Sequence, residues 1–250
     1  MALTIHNRGL EPDIFGTVNH ADFDRSWPLF MQQDPTGQLY YGEIDKVADY
    51  VLLATDGDEP VAKAYSAPFA FGSKGREELP ATGWDGVVRW QHADRLAGRA
   101  ANIATALEIV VLKERQGTGI ASTMVKALRD NAFRLGHDVL YAPVRPSQKS
   151  EEPETPMDEY AWRVRDDGLP YDAWLRVHVR AGGRILKVCP LSMTIVGTLA
   201  QWREWTGLPF DNDGPIVVAG ALTPVLVSTA HDVGVYVEPN VWVEHRGGSA

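Results

Sequence analysis

The chain has 250 residues with 44% hydrophobic content, enough for one sizeable core, or one core with a modest appendage. Its net charge is -9 and its 24 basic residues are scattered rather than gathered into a stripe, which argues against a nucleic-acid partner and mildly favours a cationic one. The single Cys189 excludes an internal disulfide, no apolar run approaches the ~20 residues that span a bilayer, and the first twenty residues lack a secretion signal, so a cytoplasmic setting away from membranes is expected.

In chain order, residues 21–33 and 43–50 read as short helices, the first interrupted by Pro28. Residues 50–54 and 61–71 read as a hairpin around the turn at 55–58. A helix over 84–101 carries Trp84, Val87, Val88 and Gln91, and a strand follows over 107–112. After a glycine turn, Ile120, Met124, Leu128 and Leu135 recur at helical spacing with Lys126, Arg129 and Asp130 between them, and Gly136 closes the helix. Residues 138–144 form the next strand, which makes a strand, helix, strand unit with parallel pairing and a right-handed crossover.

Beyond it, 146–170 is a proline-rich, acidic passage with a short helix over 157–165, and 171–181 is helical until Gly182-Gly183. A strand begins at 184–188. The tail predicts a helix over 198–206, with Trp202 and Trp205 at i and i+3, then short strands at 216–219, 225–228, 233–238 and 241–243. We expect one domain over 1–188, with insertions near 75–105 and 146–170, and a β-rich extension over 189–250 that completes the structure, walls a pocket or forms a dimer surface.

The turn Gln116-Gly117-Thr118-Gly119-Ile120-Ala121 is suited to an anion. Glycines let the backbone approach a ligand, and the first N–H groups of a helix lie unpaired at the positive end of its dipole. A kinase-type phosphate loop is rejected, because Ile120-Ala121 stand where a Lys-Ser/Thr pair must be. A dinucleotide fingerprint lacks its third glycine, at Ser122, and its acid, at Arg145. A plain glycine turn stays open.

Gln116, Gly119 and Ala121 match the motif Gln/Arg-x-x-Gly-x-Gly/Ala, and on these residues the chain resembles the GNAT acyltransferase superfamily, most clearly over 106–145. The resemblance implies a GNAT-like mixed, mostly antiparallel α/β sheet flanked by helices, here with a β-rich C-terminal extension. It implies that the amides of Gln116, Gly117, Thr118, Gly119, Ile120, Ala121 and Ser122 grip the CoA pyrophosphate, and that Ile109, Val110 and Val111 line the pantetheine of acetyl-CoA or another short acyl-CoA. The acceptor it implies is an amine, on a small molecule.

Acyl transfer to an amine needs a base for the amine and stabilisation of the departing thiolate. Glu108, a charge inside an apolar strand, is the candidate base unless it simply faces solvent or an ion partner. His178 stands where the family commonly has a tyrosine acid, and equally suits a core histidine. Ser147, after the second strand, is a candidate donor to the CoA sulfur. Arg145 and Lys149 leave the carboxyl edge of the sheet, where each reads as a phosphate or acceptor contact or as a solvated charge. No metal is expected, since the spacing around Asp211 and Asp213 fits no defined ligand loop, and Cys189 reads as a buried apolar residue, so transfer is direct in a ternary complex. A protein N-acetyltransferase and a non-catalytic CoA-binding sensor are the alternatives, and the protein is expected as a monomer or homodimer.

Overall fold

The computed structural model describes residues 3–16 and 18–247. In chain order it runs β1 (Leu3–Asn7), α1 (Pro12–Phe15), α2 (His20–Asp24), 3-10 turns at Leu29–Gln33 and Pro35–Gly37, α3 (Gln38–Tyr41), a 3-10 segment at Ile44–Tyr50, β2 (Val51–Asp56) and β3 (Glu59–Phe69). It continues through α4 (Gly83–Leu96), β4 (Ile103–Val111), α5 (Ile120–Arg134), β5 (Val139–Val144), α6 (Met157–Tyr160), α7 (Ala173–Arg180), β6 (Arg184–Gly197), α8 (Leu199–Thr206), β7 (Gly214–Ile216), β8 (Val225–Ser228) and β9 (Val233–Arg246).

Strands β1 to β4 form an antiparallel run in sequence order, and β5 lies beside β4 in parallel. That parallel contact is short: only Ala104 with Leu140 and Thr105 with Tyr141 are in register. The cause lies one strand over. Tyr65 faces Glu108 while Ser66 faces Ala106, so Leu107 is an extra residue, a β-bulge that bends β4 and raises its local twist. From Ala106 onward β4 leaves β5, and the sheet forks. Pro143 removes a backbone donor from β5 within this unpaired stretch, where its absence costs no ladder bond to β4.

On its other side β5 is fully paired, Val139 to Val144 against Arg246 to Val241 of β9. The remaining edge of β9 runs along β6, and its first residues also meet β8. The last strand thus enters the main sheet, and the boundary expected at 188 falls inside β6. The sequence suggested two strands at 233–238 and 241–243; they are one, because Pro239 and Pro190 both sit at the register shift between Cys189 and Met193, where prolines lose no ladder bond.

Other elements differ in length for local reasons. Pro28 divides the expected 21–33 helix into α2 and a 3-10 turn, and Val47, at φ -128°, keeps 44–50 from becoming an α-helix. The helix expected at 157–165 shrinks to α6, and the strand at 216–219 to β7. β1 is an addition to the elements read from sequence. Among the described residues no helix is long and apolar enough to cross a membrane.

Two cores sandwich the fork. One packs α5, through Met124 and Leu128, against Ala62, Ala64 and Ala106. The opposite face packs the N-terminal helices, through Phe23 and Tyr40, on Leu53, Tyr65 and Val110. A third core ties the tail to the N-terminal turns: Phe30 lies 5.8 Å from Trp202 and 5.3 Å from Tyr236. Trp202 is fully buried, its indole N–H donates to the Gly234 carbonyl at 2.9 Å, and Gly234 leaves room for the ring because a Cβ there would lie 2.5 Å from it. Trp202→Ala is expected to destabilise the whole domain by about 3–5 kcal/mol, measured by urea unfolding as a single transition. Separate transitions for residues 1–188 and the tail would show that the tail is an independent unit.

Candidate active site

The fork opens into a cleft of about 1260 Å³, larger than the ~300–1,000 Å³ that one small ligand needs and therefore roomy enough for two reactants. One end is the mouth of α5. Gly119 caps this helix at φ 88°, no side chain caps it, and no acidic residue occupies its first turn. Gly117 has φ 75°, and a Cβ at either glycine would meet nothing within 4 Å, so the turn adopts its left-handed geometry over open space. The amides of Ile120, Ala121 and Ser122 begin α5 at that space, all three residues line the cleft, and the dipole adds partial positive charge. The Gln116 side chain fastens the turn to β4 by donating to the Val111 carbonyl at 3.2 Å, and Thr118 Oγ1 donates to the Arg115 carbonyl at 2.6 Å. These residues fit a diphosphate. Ile109 and Val111 lie along the cleft from β4, whereas Val110 turns to the opposite core.

The other end is built on Glu108, the residue that follows the bulge. The Trp27 indole N–H donates to its Oε1 at 2.5 Å and the Tyr41 hydroxyl to its Oε2 at 2.6 Å. Burial pushes the Glu108 carboxyl above the usual carboxylate range, although those two donors and the Lys63 ammonium pull the other way. Tyr41 stays protonated, because burial and the facing carboxylate raise its phenol far above its ordinary value. Its ring stacks 6.5 Å from Trp84 of α4, and the Trp84 indole donates to the carbonyl of the bulge residue Leu107 at 3.1 Å. The helix α4 therefore braces the bulge from above. Its entry requires Gly83, where a Cβ would lie 2.2 Å from Ser192 Oγ.

Behind Tyr41 and Trp84, Asp85 is pressed against Asp34, and burial with that neighbouring carboxyl raises Asp85 well above the carboxylate range. The tail supplies the third wall through Met193, Glu238 and Asn240. Glu238 is fully buried, and it is completely satisfied: Arg145 Nε, the Tyr236 hydroxyl and Asn240 Nδ2 donate to it at 2.9, 2.7 and 3.0 Å.

The other residues singled out from sequence are placed as follows. Arg145 is held by Glu238 and by the Gly220 carbonyl, with its guanidinium 5.9 Å from the Trp27 ring, at the Glu108 end of the cleft. Lys149 is fully buried and donates to the Glu152 and Leu222 carbonyls. Ser147 is exposed at the cleft rim. His178 lies in the wall below Trp174, its Nδ1 3.0 Å from His245 Nε2, and burial together with His245 lowers its pKa to about 3, which keeps the ring neutral. Trp27 and Tyr41 were not found by sequence reading, because they meet Glu108 across 81 and 67 residues with no local spacing to announce it.

No family model matches the chain. Over 97% of its length it is 29% identical to a protein of Aspergillus versicolor named arginine N-acetyltransferase avaD, 93% of which is covered. The chain is thus similar in sequence to an N-acetyltransferase, and its fold is that of GNAT proteins. The loading GNATL domain of CurA from Lyngbya majuscula shares the fold at a TM-score of 0.62 and 14% identity, with 98% of each chain covered. The GphF GNAT-like decarboxylase in complex with isobutyryl-CoA shares it at 0.53 and 13%, over 98% and 99%. These two likenesses concern the GNAT fold. They agree with the mixed sheet and with C-terminal strands that extend it.

A half-buried, desolvated carboxylate makes this site dependent on pH. A carboxyl whose folded-state pKa is raised favours folding while protonated, and that contribution is lost as pH rises through the raised value. Glu108→Gln removes the cost of burying the ion and can keep both neighbours bonded. We expect its melting temperature to exceed that of the wild type at neutral pH, with the difference shrinking as pH falls below the carboxylate range. A variant less stable than the wild type at neutral pH would show that burial does not dominate at Glu108.

Proposed function

We propose that the protein transfers an acetyl group from acetyl-CoA to an amine of a small basic molecule, with arginine the foremost acceptor, directly within a ternary complex. The observation that carries this reading is the placement of Glu108: a carboxylate with raised basicity, held by two aromatic donors, faces the same cleft as the uncapped mouth of α5. The relative named for arginine supports the acceptor, as do the cleft-lining carboxylates of Asp24 and Glu108 and the net charge of -9.

In this scheme the amides from Gly117 to Ser122 hold the CoA diphosphate, the unpaired edge of β4 receives the pantetheine, and the thioester points toward Glu108. Glu108 takes a proton from the acceptor ammonium. The free amine attacks the thioester carbonyl to form the C–N bond, the C–S bond breaks, and the nitrogen's second proton passes to the thiolate, which leaves as CoA with Ser147 at the rim as its hydrogen-bond donor. Tyr41 and Trp27 are positioning residues for Glu108. We assign His178 to the wall that supports Trp174, since a ring kept neutral down to about pH 3 is a weak acid and a weak base. Walls from the N-terminal helices, α4 and the tail favour a small acceptor over a protein one.

Thiol release from acetyl-CoA with L-arginine tests the scheme, with the product confirmed by mass spectrometry. Glu108→Gln is expected to lower kcat by about 10²–10⁴ while CoA still binds as in the wild type. Unchanged turnover in that variant would remove Glu108 from the chemistry, and CoA binding without turnover on any amine would favour a sensor. Gly119→Ala forces a side chain into a left-handed conformation at a cost of about 1–2 kcal/mol, so calorimetry should show CoA binding weakened on the order of tenfold. Unaltered affinity would move the diphosphate elsewhere.

A further inference from the structure

Among the described residues that line the cleft, one cation is left idle by the scheme above. Arg8, Lys63, Arg115 and Arg145 all line it. Arg8 is paired with Asp45 at 2.8 Å, Arg145 with Glu238 at 2.9 Å, and Arg115 with Glu59. Lys63 differs. Its side chain is 7% exposed, yet its nearest carboxylate, Asp24, is 3.7 Å away and mostly in solvent, and its closest polar contact is His20 Nδ1 at 3.4 Å. An ammonium has three donors, and these two long contacts leave most of that capacity unused. Phe23 and Tyr65 flank it, with ring centres at 4.8 and 5.7 Å, which strips it of water without supplying a counter-charge.

The strand register fixes where this ammonium stands relative to the base. Lys63 pairs with Val110 and Tyr65 with Glu108, so Lys63 and Glu108 share one face as diagonal neighbours across β3 and β4, about 7–8 Å apart at the backbone. In an α-amino acid two covalent bonds separate the amino nitrogen from the carboxyl carbon. A nitrogen presented to Glu108 therefore brings its own carboxylate toward Lys63, and leaves the side chain free to run along the acidic wall.

Resting on the acetyl-transfer reading, we propose that Lys63 is the carboxylate anchor of the acceptor site, so that the enzyme selects α-amino acids over the corresponding amines without a carboxyl group and acetylates the α-nitrogen. Burial lowers the affinity of Lys63 for its proton more than Glu108 and Asp24 raise it, so an arriving carboxylate adds counter-charge that the ammonium still needs. Asp24 is then displaced into the solvent it already faces.

The test compares kcat/KM on two acceptor pairs, L-arginine with agmatine and L-ornithine with putrescine, in the wild type and in Lys63→Met and Lys63→Arg. The wild type should prefer the carboxylate-bearing member at least tenfold. Lys63→Met should reduce that ratio about tenfold, chiefly through KM, whereas Lys63→Arg should keep it; a merely structural Lys63 would lower both members of a pair equally and leave the ratio unchanged. An unchanged ratio in Lys63→Met, or a wild type indifferent to the carboxylate, overturns the anchor. If Lys63→Met does not fold, Lys63→Gln carries the same comparison. Turnover on ornithine but not arginine overturns the arginine reading alone, and the ornithine to putrescine ratio then decides the anchor. Silence on all four acceptors overturns both.

Discussion

One extra residue organises this molecule. Leu107 interrupts the ladder between β3 and β4, and the bend it introduces pulls β4 off β5 after two registered pairs. A parallel pair that stayed zipped would present a closed sheet on both faces, with no passage between the α5 side and the N-terminal side. The fork provides that passage. It also leaves backbone groups of β4 without a strand partner, which a sheet tolerates only where solvent or a ligand satisfies them. The Trp84 indole on the Leu107 carbonyl and the Gln116 amide on the Val111 carbonyl relieve this need at the two ends of the open stretch.

The same bend determines the electrostatics. By aiming Glu108 at the N-terminal core, it places a carboxylate among aromatic rings, where desolvation outweighs two hydrogen bonds and a nearby ammonium. A carboxylate on the solvent face of a regular strand would keep its ordinary acidity. Trp27 and Tyr41 keep both oxygens engaged, so the group is polar, half-buried and fixed in direction. Asp85 experiences the same kind of desolvation one layer further out, against Asp34, at the start of the helix that supports Tyr41 through Trp84.

Much of this was legible from sequence, for identifiable reasons. The turn from Gln116 to Ser122 and the helix after it are local: glycines at positive φ and a 3.6-residue apolar period are written in consecutive residues. The oddity of Glu108 in an apolar strand was legible too, as a charge needing an explanation. Its partners were not. Trp27 lies in a stretch broken by Pro28 and Tyr41 in a helix of four residues, and only the folded sheet brings either to β4. The bulge at Leu107 leaves no sequence trace of its own, because a bulged strand keeps the same apolar residues. The unity of β9 was hidden by Pro239, which reads as a strand end unless the irregularity opposite it, at Pro190, is known.

The tail follows from the fork rather than decorating it. Once β4 departs, β5 has lost half of its ladder on one side and must be held from the other, and β9 does this along its full length from Val139 to Val144. The same strand carries Glu238 and Asn240 into the cleft, tied to Arg145 of the β5 exit and to Ser192 of β6. Each acceptor atom of Glu238 has a donor, so this buried charge rigidifies the wall instead of straining it. The third core then clamps the tail to Phe30, three residues beyond Trp27. A shift of β9 would therefore move the far arm of the fork, the cleft wall at Glu238 and Asn240 and the segment that steadies Glu108 together. Those three parts share one rigid support, which is why the C-terminal strands lie inside the sheet rather than beside it.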